Sequence, residues 1–151
     1  IYPTISTADA AELVRGFLLR LGTYGDPGMA PALVWAQLVA AASDHTGYTH
    51  RANDTGADLL GMCMASADSQ PEARELQAQG WATFRVSTDP TETRDSGEAR
   101  CPASAEAGRR VTCESCPISL KCNGKRTGRI RGRVILDHGP GGIGRSIARA
   151  V

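Results

Sequence analysis

Aromatic side chains are scarce in this chain, at 5% of its 151 residues. Small aliphatic residues must therefore provide most of the packing, and a hydrophobic fraction of 41% is enough to build a core at this length. Long apolar runs are also missing, since none approaches the roughly 20 residues that a membrane-spanning helix needs. The segment 1–4 has neither the basic start nor the apolar stretch of a signal peptide. We expect a cytoplasmic protein that does not enter a membrane.

The chain also lacks the sequence signatures of common hydrolases. It contains no Gly-x-Ser-x-Gly elbow and no His-Glu-x2-His helix. The compact Cys-x3-Cys-x2-Cys arrangement of radical enzymes that use S-adenosylmethionine is absent as well. No complete catalytic signature remains, so the sequence leaves open whether the protein is an enzyme.

Short apolar segments bounded by turn residues alternate with segments of helical character. Apolar spacing and flanking Pro and Gly residues predict helices over 31–42 and 71–79. Strands are predicted over 16–22, 45–50, 59–65, 81–87 and 133–137. A loop or ragged hairpin is expected over 89–100 and a short helix over 143–151. Because the strands alternate with helices, we expect a single α/β domain over residues 1–151, built as a mainly parallel sheet or a partial β/α barrel.

Polar residues lie at or near the ends of several predicted strands. Carboxyl ends of parallel strands meet at one edge of a sheet, where the sites of such folds collect. Asp26, His50 and Arg85 are therefore weak catalytic candidates, with His50 and Asp26 as a conceivable acid–base pair. The alternative is structural, because chains leave the core at strand ends and carry polar residues there.

Five cysteines, an odd number, do not suit a simple set of disulfide bonds. Cys63 lies in the apolar run 59–64, and we expect it to be buried as a small hydrophobic residue. The other four have the spacing Cys101-x11-Cys113-x2-Cys116-x5-Cys122. Two thiolates separated by two residues can bind one metal from a single turn, and a second pair completes a four-sulfur site. These four cysteines are the predicted metal ligands, in a loop over 101–124 inserted before the last strand.

The metal in such a loop could be zinc or an iron–sulfur cluster, since four thiolates suit both. Cys101 and Cys116 each precede proline, as the closing cysteine of ferredoxin-type motifs does. Neighbouring Lys and Arg residues would also offset the negative charge of a cluster. These features favour an iron–sulfur cluster, with zinc as the alternative.

Positive charge is concentrated around the cysteine segment. From Arg100 to Arg133 the chain has nine Lys and Arg residues against two Glu residues, although the whole chain carries a net charge of only +1. A basic lobe of this kind favours a partner that carries phosphates, such as nucleic acid, and a solvated charged loop is the alternative. The residues expected to contact phosphates are Arg126, Arg129, Arg131 and Arg133.

The segments LRLGTYGDP, HTGYTHR, MCMASADS, GWATFRVS and CPAS…CESCP…CNG occur in this order between about Leu18 and His138. Together they resemble a family of phage gene-product-88-like proteins, carried by bacterial plasmids and phages. The resemblance implies a partial β/α barrel with a cysteine-bound cluster, reminiscent of radical enzymes, but it implies no particular reaction. In that family an amino-terminal portion with further cysteines precedes this region, so the resemblance implies a truncated or natural short form.

The sequence therefore predicts a metal-binding α/β protein of mobile-element type. Its four-cysteine site is expected to lie beside a basic surface that contacts nucleic acid. The alternative is an iron–sulfur enzyme, or a fragment of one, with its site at the carboxyl ends of the strands. The sequence gives no indication of the oligomeric state.

Overall fold

The structure is a computed structural model that describes residues 4–55, 57–89, 91–104, 107–108, 110–113, 115–116, 122–126 and 132–136. Helices alternate with strands along these residues. The elements are, in chain order, α1 (Thr7–Val14), β1 (Leu18–Leu21), a 3₁₀ turn (Pro27–Met29), α2 (Ala32–Ala41), β2 (Asp44–Thr49), α3 (Ala52–Thr55), β3 (Met64–Ala67), α4 (Gln70–Ala78), β4 (Thr83–Ser87), β5 (Glu98–Arg100) and β6 (Gly132–Leu136).

The six strands form one sheet in the order β1-β2-β3-β4-β6-β5. Every neighbouring pair is parallel, so the predicted α/β class with a mainly parallel sheet is confirmed. The last strand, β6, lies between β4 and β5, and β5 is therefore attached to the sheet through β6. This placement brings the start of the cysteine segment, which follows β5, next to the last strand.

Local sequence signals explain where the main helices begin. Ser6 caps α1, because its side chain accepts a hydrogen bond from the backbone N–H of Asp9. Ser69 caps α4 in the same way through the N–H of Glu72, and the Glu72 carboxylate accepts a hydrogen bond from the N–H of Asp68. The starts of α1 and α4 are thus determined by capping residues that can be read from the sequence.

Small residues dominate the core, as the shortage of aromatics predicted. Its buried members are Leu21, Ala52, Leu59, Cys63, Ala65, Ala67, Ala73, Leu76 and Trp81. Helix α4 packs on β3 and β4 and contributes two of them. Cys63 is fully buried, so the prediction that it serves as a small hydrophobic residue is confirmed.

Two predicted elements differ from the structure. The apolar run 59–65 is not a strand throughout, because residues 59–62 form a turn in which Gly61 has φ +84°, and the strand runs over Met64–Ala67 instead. The segment 89–100 is not a hairpin, because Glu98–Arg100 pairs in parallel with β6. Helix α3 was not predicted. The helix expected over 143–151 lies outside the described residues.

The helices are short and mostly amphipathic. In the described part of the chain, no helix is both long enough and apolar enough to cross a bilayer.

Candidate metal centre

The four clustered cysteines line one small cavity. Cys101, Cys113, Cys116 and Cys122 surround a volume of about 20 Å³, together with Pro102, Ala103 and Arg133. Residues that are far apart in the sequence, on the end of β5, in the following loop and on β6, therefore meet at one place. All four cysteines are free thiols.

Cys101 is held by the sheet. Its backbone N–H donates to the carbonyl of Val134 over 3.0 Å, so the residue continues the pairing of β5 with β6. Its own carbonyl accepts hydrogen bonds from the N–H of Ser104, at 3.1 Å, and from the Ser104 hydroxyl, at 2.7 Å. The chain turns immediately after the strand, and the thiol is left at the edge of the cavity.

Cys122 is held against the opposite part of the sheet. Its carbonyl accepts a hydrogen bond from the N–H of Gly47 in β2, at 3.1 Å. Gly124 allows this approach, because a β-carbon there would collide with the backbone of Cys63, and its φ is +78°. Cys122 itself has φ +51°, a left-handed conformation that is uncommon for a residue with a side chain. The loop is therefore fixed tightly onto the core.

Tyr48, on β2, supports the sulfur of Cys122. Its side chain lies close to that of Cys122, and burial together with the nearby thiols raises the pKa of Tyr48. The ring packs edge-on against Phe84, with centroids 5.0 Å apart, and the guanidinium of Arg20 lies 6.0 Å from its centre. The Tyr48 hydroxyl is thereby aimed at the cysteine cavity.

Cys113 and Cys116 lie in a tight polar turn. The N–H of Thr112 donates to the hydroxyl of Ser115 at 3.0 Å, and the N–H of Ser115 donates to the Thr112 hydroxyl at 3.2 Å. These reciprocal bonds close the turn between the two cysteines. Cys113 is exposed and Cys116 is half-buried, so this side of the cavity faces solvent.

Burial favours the neutral thiol form of the deeper cysteines. It raises the pKa of Cys122 to about 11, with the neighbouring thiols adding to the effect, and it raises the pKa of Cys101 as well. Arg133 acts in the opposite direction on both. One arginine does not match four thiolates, so the fully deprotonated cluster requires further positive charge at its centre.

The structure does not show a closed coordination sphere. Among the described residues, no group of three or more His, Cys, Asp or Glu side chains is arranged so that it could hold a metal ion. The four thiols nevertheless share the lining of one cavity.

Arg133 occupies a different environment from the one expected. It was expected to contact phosphates at the surface, but only 3% of the residue is exposed and it lines the cysteine cavity. Its two terminal nitrogens are buried and have no hydrogen-bond partner among the described residues. Arg126, by contrast, is exposed. Arg129 and Arg131 lie outside the described residues.

The three strand-end candidates make structural contacts. The Asp26 carboxylate accepts hydrogen bonds from the Thr49 hydroxyl, at 2.7 Å, and from the backbone N–H groups of Gly28 and His50, at 2.8 and 2.7 Å. Burial of the Asp26 carboxylate opposes its ionisation, but these bonds together outweigh burial and lower the pKa of Asp26. Asp26 and His50 are thus adjacent, but the contact uses the backbone of His50, whose side chain is exposed.

Arg85 lies within the sheet and is buried in an ion pair. Its Nε and Nη2 donate to the two carboxylate oxygens of Glu98, at 2.6 and 2.8 Å, and its Nη1 donates to Glu92 at 2.6 Å. These contacts raise the pKa of Arg85. All three donor nitrogens already have carboxylate acceptors, which explains how the charge is tolerated inside the fold.

The sequence identified the four cysteines but not the residues that position them. It gave no role to Tyr48 or to Gly124. The tripeptide Cys122-Asn123-Gly124 carried a usable signal, since Asn and Gly often mark left-handed backbone. No sequence signal links Tyr48 or Arg133 to the cavity, because that contact depends on strand order.

Comparisons with known proteins identify no relative of this chain. A scan against protein-family models, a search of curated proteins and a search of solved structures each find no match to this chain. The resemblance to phage gene-product-88-like proteins stays a prediction.

Proposed function

We propose that the protein binds an iron–sulfur cluster through Cys101, Cys113, Cys116 and Cys122. The observation that carries the proposal is that all four side chains line one cavity, although 20 residues lie between the first and the last. Four thiolates are the usual ligand set of such clusters. The described α/β fold holds two of the proposed ligands by backbone hydrogen bonds, Cys101 to β6 and Cys122 to β2.

The residues beside the cysteines favour a cluster over a single zinc ion. Cys101 and Cys116 each precede proline, as the closing cysteine of ferredoxin-type motifs does. Arg133 lines the same cavity and would offset part of the negative charge of a cluster.

Metal analysis of anaerobically purified protein tests the proposal. We expect iron and acid-labile sulfide, with a broad absorption band at the blue end of the visible spectrum. The double variant Cys113→Ser/Cys116→Ser should lose the iron, because it removes half of the ligands. Cys63→Ala is the matched control, since Cys63 is buried in the core and should leave the iron content unchanged.

The alternative outcomes separate the remaining hypotheses. One colourless zinc per chain would overturn the cluster and leave a four-cysteine zinc site. Iron that persists in the double variant would show that these cysteines are not its ligands. Absence of both metals from the unaltered protein would remove the metal centre altogether.

Nucleic-acid binding is a second candidate function. Arg100, Arg110, Lys125 and Arg126 are exposed around the cysteine loop, and none forms an ion pair with another described residue. Unpaired surface cations are available to phosphates, and their binding weakens as salt rises. Phosphate contact through Arg133 has no support, because that side chain is buried.

A gel-shift series against salt concentration tests this second function. The double variant Arg110→Gln/Arg126→Gln should reduce the slope of log affinity against log salt by about 0.7–0.9 for each phosphate that the protein no longer binds. Arg94→Gln, which changes an exposed arginine away from the cysteine loop, should leave the slope unchanged. Failure of the unaltered protein to retain nucleic acid at low salt would contradict the function.

An enzymatic site at the strand ends has less support. The carboxylate of Asp26 is occupied by three hydrogen bonds, and Arg85 is enclosed by two carboxylates. His50 is exposed, but neither of the other two candidates presents a free functional group to it. The geometry therefore favours binding of a metal centre over catalysis at this edge.

A further inference from the structure

We propose that Arg133 is the charge-compensating partner of the cysteine-bound centre, donating its terminal N–H groups to the bound sulfurs. This inference rests on the proposed function and deepens it. It assigns to one residue the task of holding a negatively charged metal centre inside the protein. The phosphate-binding role that sequence reasoning gave to Arg133 is replaced by this one.

The burial of the Arg133 guanidinium supports this role. Arg133 is 3% exposed, and its two terminal nitrogens have neither solvent nor a partner among the described residues. A buried charge without hydrogen bonds is strongly unfavourable, so such a group is kept only where a partner satisfies it. The missing partner must be an acceptor, because a guanidinium carries donors alone.

The position of the Arg133 side chain also supports this role. Arg133 lines the same cavity as the four thiols, and its positive charge favours the thiolate form of both Cys101 and Cys122. Among the described residues the cavity lining includes no carboxylate, so the sulfur atoms of the proposed centre are the acceptors that it offers.

The negative charge of the proposed centre also supports this role. Four thiolates contribute four negative charges, which exceed the charge of a divalent ion or of the common cluster cores. The centre as a whole is then an anion in a partly buried site. Arg133, in the lining of the cavity, supplies an opposite charge. Hydrogen bonds to the ligands of a metal typically set its affinity and its reduction potential.

Arg133→Met tests the role, because Met fills the space without charge or donors. Arg133→Lys keeps the charge but not the paired donors, and Arg94→Met is the control at an exposed arginine. Each protein is loaded anaerobically and exposed to a chelator, and the rate of metal release is followed. We expect release to be about 10–100-fold faster in Arg133→Met, intermediate in Arg133→Lys and unchanged in Arg94→Met.

Two further measurements distinguish this role from ordinary packing. The reduction potential of the cluster should fall in Arg133→Met, because the reduced and more negative state loses its counter-charge. The thermal midpoint of the metal-free protein should stay the same or rise, because the variant removes a buried charge that has no partner. A purely structural arginine would lower the midpoint of the metal-free protein instead.

Each outcome bears on the inference separately from the proposed function. Unchanged chelation rate and potential in Arg133→Met would overturn the inference while leaving the cysteine site intact. A metal-free Arg133→Met protein that unfolds at a lower temperature, or fails to fold, would also overturn it. If the unaltered protein carries zinc, the cluster proposal fails, but faster zinc release from Arg133→Met would still support the inference. If it carries no metal, both fail.

Discussion

Two buried arginines on neighbouring strands have opposite surroundings. Arg85, on β4, donates to both oxygens of Glu98 and to Glu92, whereas the terminal nitrogens of Arg133, on β6, have no partner among the described residues. Phe84 pairs with Arg133 and Arg85 pairs with Val134, so the two side chains lie on opposite faces of the sheet. On one face the protein supplies acceptors for the guanidinium of Arg85. On the other face, no described residue accepts from the terminal nitrogens of Arg133.

The two faces differ in whether the protein itself supplies hydrogen-bond acceptors for the buried guanidinium. On the Arg85 face, Glu98 and Glu92 are those acceptors. The Arg133 side has donors and thiols around a cavity but, in the described part of the chain, no acceptor that satisfies them. This contrast supports the proposal that a negatively charged centre lies on the Arg133 face of the sheet.

The largest effect is expected from Arg85→Met. Glu98, whose side chain is only 1% exposed, would be left as a buried charge without its partner. We expect the free energy of unfolding to fall by about 3–5 kcal/mol, measured by urea denaturation at pH 7. The double variant Arg85→Met/Glu98→Leu should recover most of this stability. If the single variant is as stable as the parent, the ion pair is not structural.

A smaller effect is expected from Glu92→Gln, because the Glu92 side chain is 26% exposed. Hydrogen bonds from Ser87 and Arg85 lower the pKa of Glu92 below its ordinary value of 4.5. Its contribution, about 1 kcal/mol, should therefore be present above pH 4.5 and disappear as the pH falls through the lower folded value. Unfolding curves of parent and variant between about pH 3 and 7 would measure this. A difference that does not change with pH would contradict it.

The smallest loss of stability is expected from Arg133→Met in the metal-free protein. Because nothing described accepts hydrogen bonds from its terminal nitrogens, the variant should be at least as stable as the parent. Urea denaturation with a chelator present would measure it alongside Arg85→Met. Equal and large destabilisation in both variants would remove the contrast between the two faces.

The sequence was sufficient for most of the strands and for helix α4, because the signals there are local. Leu18–Leu21 and Thr83–Ser87 lie inside predicted strands, and Pro71 near the start of α4 with Gly80 after its end marked that helix correctly. The strand prediction was wrong over residues 59–62, because an apolar run does not indicate a turn. Gly61, which has a positive φ, was the only residue there that suggested one. The three-residue strand β5 carried too little pattern to be separated from a loop.

The site was predictable only in part, for a different reason. Cysteine spacing is a local property, and it correctly selected the four residues that line the cavity. The environment of Arg133 depends instead on β6 lying between β4 and β5, which no local pattern specifies. Its position in a basic segment suggested an exposed residue, whereas strand pairing on both sides buries it.

The placement of β6 has a consequence for the order in which the protein matures. During synthesis all four cysteines leave the ribosome before residues 132–136, yet β5, which leads into Cys101, joins the sheet through β6. In the described structure, β6 connects Cys101 to the part of the sheet where Cys122 is held, at β2. A metal centre bound as we propose would therefore gain its full set of ligands only after β6 has joined the sheet.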